Sequence, residues 1–301
     1  MIFVMISTHK SRAFTGPSLD SLLKKTNFRS GDKIIIIDND GSLQDLSGSI
    51  IIRNERPRSF AENANFAIGI SKILQDDLIL MNNDIIYTKN WLDFLLASEN
   101  SRDSIVIPYC NQNVQYRAGL LNLKIAMDYQ DYAGHEEDLE EISRIHQREL
   151  VDGPDYDAGI LMSFFCVYIP WKVSTAVGYF DERFGRGGGE DVDYRLRALR
   201  AGVEVLHSRR SYLLHFMGKS TWRSGEPFEE TRSADATYQR HFVEKWGRPV
   251  AEFFLSGSNK QEVANRYGLI PHLQRHDFRA ILERLEDATS KERERGTNEN
   301  S

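Results

Sequence analysis

The sequence predicts an α/β fold: a mostly parallel, twisted sheet with helices on both faces. Three observations carry that expectation. Short β-branched or apolar runs recur along the N-terminal third, segments with helical spacing alternate with them, and small polar or acidic residues fall just past the run ends. At 301 residues the chain suits one large domain with decorations. Hydrophobic content of 41% and charged content of 27% are ordinary for a globular protein. A net charge of −6 argues against a general nucleic-acid binder.

Residues 2–6 form a first apolar strand. Leu19, Leu22 and Leu23 have helical spacing over 18–26. Four isoleucines in 33–37 run into Asp38-Asn39-Asp40-Gly41, a buried strand closed by a turn. Residues 49–53 make a short strand. Residues 59–74 carry Phe60, Ala64, Ala67, Ile68 and Ile73 at helical intervals, with Ser59 as N-cap. A strand at 77–81 ends in Asn82-Asn83-Asp84, a helix covers 91–97, and a strand covers 104–109.

Residues 111–156 break the pattern. A charged stretch at 135–149 reads as a solvated helix, and the whole insertion as a lid or acceptor-side element. An apolar strand at 161–169 leads to Pro170, which opens a short helix. Residues 178–181 form a turn. A helix at 191–201 buries Val192, Leu196 and Leu199 and stops at Gly202. Two strands are expected at 203–206 and 212–215, then a helix at 234–246 halted by Gly247 and Pro249. Beyond 247 lies a helical extension, 248–301. Its helix near 278–285 docks, and 289–301 reads as disordered.

Cys110 and Cys166 sit in apolar segments without zinc-motif spacing, and read as buried thiols. The N-terminal run is too short for a signal-peptide core, and no apolar run is long enough to span a bilayer. A cytoplasmic protein is expected, with peripheral membrane association left open.

Three acidic or imidazole groups stand where chemistry is possible. Asp84 follows a strand, where an oxygen ligand suits Mg²⁺ or Mn²⁺; a turn aspartate reads equally well. Glu190 and Asp191 open a helix behind Gly187-Gly188-Gly189, a run suited to close approach or rearrangement at a ligand. His215 follows an apolar run and precedes Gly218-Lys219-Ser220, a polar loop suited to phosphate. Thr8 and Asp38, at the first two strand ends, are base readers or turn formers.

The order of several segments resembles a family 2 glycosyltransferase of the GT-A fold. The opening strand and loop at 4–10, Ile37-Asp38-Asn39-Asp40-Gly41-Ser42, the helix from Phe60 to Gly69, Leu78 to Asp84, Gly178 to Arg197, His215-Phe216-Met217-Gly218 and Lys245-Trp246-Gly247 carry the resemblance. It implies a GT-A domain over 1–247 and an inverting transfer of a sugar from a UDP- or dTDP-sugar to an acceptor hydroxyl, in a setting such as polysaccharide biosynthesis. Thr8 and Asp38 would hold the base. Arg58, Asn65 and Asn83 would line the nucleotide side. Asp84 and His215 would hold Mn²⁺ or Mg²⁺, Asp191 would act as general base, and Glu190 would support the acceptor. One departure stands out: Asn82 occupies the first place of the usual Asp-x-Asp, so Asp84 is the sole carboxylate there. Two other readings remain, a sugar nucleotidyltransferase and a non-catalytic nucleotide- or glycan-binding relative.

Overall fold

A computed structural model describes residues 1–8, 12–44, 46–97, 101–113, 128–149, 156–157, 164–216, 228–255 and 260–298. The chain order begins β1 (Ile2–Ser7), α1 (Arg12–Lys25), β2 (Lys33–Asp38), β3 (Ile50–Arg53), α2 (Phe60–Leu74), β4 (Leu78–Asn82), β5 (Ile85–Ile86), α3 (Trp91–Leu96) and β6 (Ile105–Cys110). It continues through α4 (Tyr129–Tyr132), α5 (Glu136–Glu149), β7 (Tyr156–Asp157), β8 (Cys166–Ile169), α6 (Trp171–Val177), α7 (Glu190–Arg200) and β9 (Val205–His215). It closes with α8 (Phe228–Trp246), α9 (Arg248–Val250), α10 (Lys260–Arg266), α11 (Ile270–Gln274) and α12 (Phe278–Asn298).

The strands lie in the order β3-β2-β1-β4-β8-β6-β9-β5, with β7 paired to β9. The half built from β1 to β4 is parallel, as the alternation of strands and helices predicts. The other half is mixed. β8 runs antiparallel to both β4 and β6, and β5 and β7 run antiparallel to β9, while β6 and β9 are parallel. Strands β1, β2 and β4 are buried almost throughout, which is why they read as unbroken apolar runs. Ala61, Ala64, Ala67 and Ile68 of α2 cover one face. That helix starts at a reciprocal capping box: Ser59 accepts from the Glu62 amide and Glu62 accepts from the Ser59 amide. Ile73, placed in the same stripe by its spacing, is 82% exposed.

Three sequence expectations need correction. The two strands expected at 203–206 and 212–215 are one strand, β9. Its register jumps where Ser208 faces Pro108 and Tyr212 faces Tyr109, so Arg209, Arg210 and Ser211 are extra residues; opposite a proline that offers no N–H, the ladder breaks without ending the strand. The charged helix of the insertion is docked rather than solvated. Leu139, Ile142, Ser143 and His146 of α5 are buried, Ser143 Oγ donates to Thr88 Oγ1, and the His146 ring stacks on Tyr212 at 4.6 Å. The region expected to be disordered from 289 continues as α12 to Asn298, with Thr289 buried. Its charged residues sit on the outer face in helical pairs such as Lys291–Asp287, a pattern that in sequence resembles a solvated tail.

The C-terminal helices share a core with α7 and α8. Leu196 and Leu199 of α7, Phe242 and Trp246 of α8, and Ile281 and Leu285 of α12 belong to one apolar cluster. Gly247 follows Trp246 of this cluster and packs against Thr289. It has φ +89°, and a Cβ there would lie 2.1 Å from Thr289 Cγ2. Gly247→Ala therefore combines a left-handed backbone penalty with a steric clash, and should cost about 2–4 kcal/mol. Thermal unfolding checks this: Gly247→Ala should melt well below wild type, and adding Thr289→Ala should recover part of the loss.

His207, near the start of β9, is buried and packs edge-on against Tyr109 at 5.2 Å. Burial, with the Arg195 charge in support, pushes its pKa down to about 3 from 6.5. His146 is also lowered, by burial. A histidine kept neutral by the fold contributes stability above its unfolded value, and that contribution is lost as pH falls from 6.5 towards 3. Wild type should lose several degrees of Tm between about pH 7 and pH 5, and His207→Phe should lose fewer. Parallel Tm–pH curves for the two proteins would refute this.

Candidate active site

Parallel pairing brings three strand ends to one edge of the sheet. Ser7 lies beside Asp38, and Ile6 beside Asn82. Thr8, Asp38 and the Asn82-Asn83-Asp84 segment therefore open at the carboxyl ends, where α/β sheets bind ligands.

At this edge Asp38 is fully buried, and its two oxygens accept the Ser42 and Leu43 amides, each at 3.1 Å. Arg53 Nε lies 3.7 Å from Oδ2. The carboxylate thus shapes the turn after β2. Next to it, the buried Asn39 and Asn63 and the half-buried Asn54 form an amide knot. Asn54 Nδ2 donates to Asn39 Oδ1 and to Asn63 Oδ1, both at 2.8 Å, and Asn39 Nδ2 donates to the Arg58 carbonyl at 2.9 Å. The Arg58 amide returns a bond to Asn39 Oδ1 at 2.9 Å, so the knot holds the Arg58 backbone at the sheet mouth with its side chain half-exposed.

Two residues expected on the nucleotide side are engaged elsewhere. Asn65 uses its whole amide to brace α2 against the turn before α7. It donates to the Phe180 carbonyl (3.0 Å) and to Glu182 Oε1 (2.8 Å), and accepts from the Phe180 amide (2.6 Å). Asn83 is buried and donates to Thr15 Oγ1 at 2.7 Å and to Ser7 Oγ at 3.3 Å, tying β1 to α1. A single sequence shows polar types at strand ends but not which way an amide faces.

Asp84 and His215 meet. Residues 131 positions apart are joined because β5 pairs antiparallel with the end of β9, setting Ile85 opposite His215, and the Phe216 amide donates to the Asp84 carbonyl at 3.0 Å. Both side chains are buried. His215 Nε2 lies 3.4 Å from Asp84 Oδ1, an ion-pair contact longer than a well-formed hydrogen bond. Burial alone would lower the His215 pKa, but the facing Asp84 carboxylate outweighs it and pushes it up to about 9. The ring is stacked on Phe165 at 4.8 Å and 18°.

The glycine run ahead of α7 has φ values of +148°, +130° and +80° at Gly187, Gly188 and Gly189. A Cβ on Gly188 would stand 2.6 Å from the Tyr238 ring. Gly188 is thus required for close packing against α8, a structural need that the glycine count alone does not reveal. Glu190 is buried and folds back to accept the Gly188 amide. Asp191 is half-buried and accepts the Val192 amide at 2.8 Å. Burial raises its pKa, while amide donors from Val192, Asp191 itself and Phe164, and the Arg195 charge, oppose the rise.

The Phe164–Phe165 step links the two halves of the site. The Phe164 amide faces the Asp191 carboxylate, the Phe165 ring lies on His215, and the Phe165 carbonyl accepts the Asn82 amide at 2.8 Å. One short segment thus connects α7, β9 and the end of β4. Asn111, Gln112 and Phe165 border His215 and went unnoticed in the sequence. Asn111-Gln112 carries the same signal as Asp84, polar residues at a strand end, but reads there as the start of an insertion. Gly218, Lys219 and Ser220 lie outside the described residues, as do residues 9–10 of the opening loop. Among the described residues no group of three or more His, Cys, Asp or Glu side chains is arranged to hold a metal.

No protein-family model and no curated protein matches this sequence. Solved structures do. The crystal structure of GalNAc-T7 with UDP, GalNAc and Mn²⁺ aligns with a TM-score of 0.57 at 14% identity, over 88% of this chain and 54% of that one. The chain thus spans about half the length of that protein. Weaker matches are S. aureus TarS (TM-score 0.46, 12% identity, 97% of this chain and 91% of that one) and a mannosyltransferase from Pyrobaculum calidifontis with GDP-Man and Mn²⁺ (0.44, 12%, 94% and 85%). At these identities the likeness is one of fold: the chain has the GT-A glycosyltransferase fold anticipated from its segment order.

Proposed function

We propose that the protein is an inverting, divalent-cation-dependent glycosyltransferase that uses a nucleoside diphosphate sugar. The observation that carries this reading is the buried Asp84–His215 pair at the carboxyl edge of the sheet, one dipeptide away from Asp191. Support comes from the fold, and from the mixed oxygen and nitrogen donor set, which suits Mn²⁺ slightly better than Mg²⁺. Asp84 Oδ1 and His215 Nε2 are the atoms that would hold the ion, and His215 Nε2 makes no hydrogen bond among the described residues. A cation there would offset the charge that builds on the departing diphosphate.

The protein's own groups do the rest. Thr8 and the Asp38 turn border the base, and Arg58, its backbone held by the asparagine knot, offers a cation to the nucleotide. The acceptor hydroxyl is un-ionised at neutral pH, so Asp191 takes its proton as the bond to the anomeric carbon forms. Burial leaves Asp191 a stronger base than an exposed aspartate. Glu190 holds the glycine loop shut through Gly188 and so fixes the first turn of α7. Cys110 and Cys166 are free and buried, in keeping with a reducing cytoplasm, and no described helix is long and apolar enough to cross a membrane.

A thermal-shift panel of sugar nucleotides with and without Mn²⁺ tests the reading. One UDP- or dTDP-sugar should raise Tm only when Mn²⁺ is present, and should release its nucleotide when a hydroxyl acceptor is added. Pyrophosphate release from a nucleoside triphosphate and a sugar phosphate would move the protein to the nucleotidyltransferases. Stabilisation without turnover would make it a binding protein.

A further inference from the structure

We infer that Gln112 is a positioning residue that fixes the ring orientation and tautomer of His215, so that Nε2 and not Nδ1 faces the cation site. This rests on the reading of Asp84 and His215 as the ion's ligands and extends it to the groups behind them.

The geometry is specific. Strands β6 and β9 run parallel, with Cys110 beside Leu213, so the turn after β6 lies against the end of β9. Two consecutive residues of that turn grip His215 from opposite ends. Asn111 Oδ1 accepts the His215 backbone amide at 2.9 Å, and Gln112 Oε1 lies 3.0 Å from His215 Nδ1. Phe165, stacked at 18°, holds the plane of the ring. Plane and backbone being held, the remaining freedom is a half-turn of the ring that exchanges its edges. The hydrogen bond at Nδ1 removes it.

An amide oxygen only accepts, so its partner Nδ1 must carry hydrogen. Cys110 Sγ lies 3.6 Å from the same Gln112 oxygen. The turn is itself anchored: the Cys110 amide donates to Asn113 Oδ1 at 2.8 Å, and the Asn113 amide to the Cys110 carbonyl at 2.9 Å. With hydrogen on Nδ1, the lone pair of the neutral ring is on Nε2, the nitrogen 3.4 Å from Asp84 Oδ1. An acceptor behind a ligating imidazole also makes it a better donor.

Mn²⁺ titrations followed by electron paramagnetic resonance in the presence of UDP, on wild type, Gln112→Ala, Gln112→Glu and Asp84→Ala, test the assignment. Gln112→Ala should weaken Mn²⁺ binding by about 10- to 100-fold. Gln112→Glu, which keeps an acceptor at Nδ1, should bind as tightly as wild type or tighter. Loss in Gln112→Ala equalled by loss in Gln112→Glu would assign the residue a packing role and overturn the inference. Wild-type Mn²⁺ affinity in Gln112→Ala, with affinity lost in Asp84→Ala, would overturn it while leaving the cation site standing. No saturable Mn²⁺ binding by wild type would remove both. Nitrogen NMR of the Cd²⁺-loaded wild type gives a check that needs no variant: His215 should show a protonated Nδ1 and a metal-bound Nε2, and the reverse pattern sinks the proposal.

Discussion

Asp191→Asn should bind nucleotide sugar and Mn²⁺ with near wild-type affinity and lose transfer by about 10²- to 10⁴-fold, the range of general-base assistance. The substitution is close to isosteric. An asparagine oxygen at this position can still accept the Val192 amide, so the first turn of α7 should persist. What disappears is the group that takes the acceptor proton. The pH profile adds a second reading. Burial raises the Asp191 pKa above 3.8, so the acid limb of kcat/KM should lie above the usual aspartate range, with rate falling as pH drops through it. Kinetics with saturating acceptor, set beside donor titrations of the variant, separate the outcomes. Transfer at the wild-type rate would remove Asp191 from the role of base, and lost donor binding would make its part structural.

Asp84→Ala should abolish the Mn²⁺-dependent part of nucleotide binding, by on the order of 10²-fold or more, because it removes the carboxylate proposed to hold the ion beside His215. Calorimetric titration of UDP with Mn²⁺ and with EDTA gives the comparison, and unchanged Mn²⁺ enhancement would refute the assignment. The metal-free variant carries an independent signature. The His215 pKa rises from 6.5 to about 9 because Asp84 faces it. A raised folded-state value contributes stability that is complete below 6.5 and is lost as pH climbs through 9. In EDTA, the Tm gap between wild type and Asp84→Ala should therefore narrow as pH rises across that window. A gap that widens would mean that the pair does not interact as the 3.4 Å contact implies.

Much of the parallel half of the sheet was legible because β1, β2 and β4 are buried almost throughout and so carry unbroken apolar runs, such as Ile34 to Ile37. The capped start of α2 was legible for the same local reason, since Ser59 and Glu62 satisfy each other within one turn. The second half was harder. β9 looked like two strands because Arg209, Arg210 and Ser211 bulge from its middle, and the end of α12 from Thr289 looked disordered because its outer face is charged while Thr289 packs at Gly247. At the site, residue types at strand ends were readable. The commitments of Asn65 to Phe180, of Asn83 to Thr15 and of Gly188 to Tyr238 were not, because each partner is distant in sequence.

The amino-acid order by itself therefore determined the alternation of elements, the three strand ends that form the sheet mouth, and the acidic start of α7. Periodicity and capping act over a few residues, and that range is enough for them. Only the tertiary structure decided that Asp84 meets His215, that Phe164–Phe165 ties both to Asp191, and that Gln112 stands behind the imidazole. Those contacts arise from β5 and β6 pairing with β9 across more than a hundred residues of chain. Strand pairing at that separation is settled by the burial of the whole sheet, which no local pattern encodes.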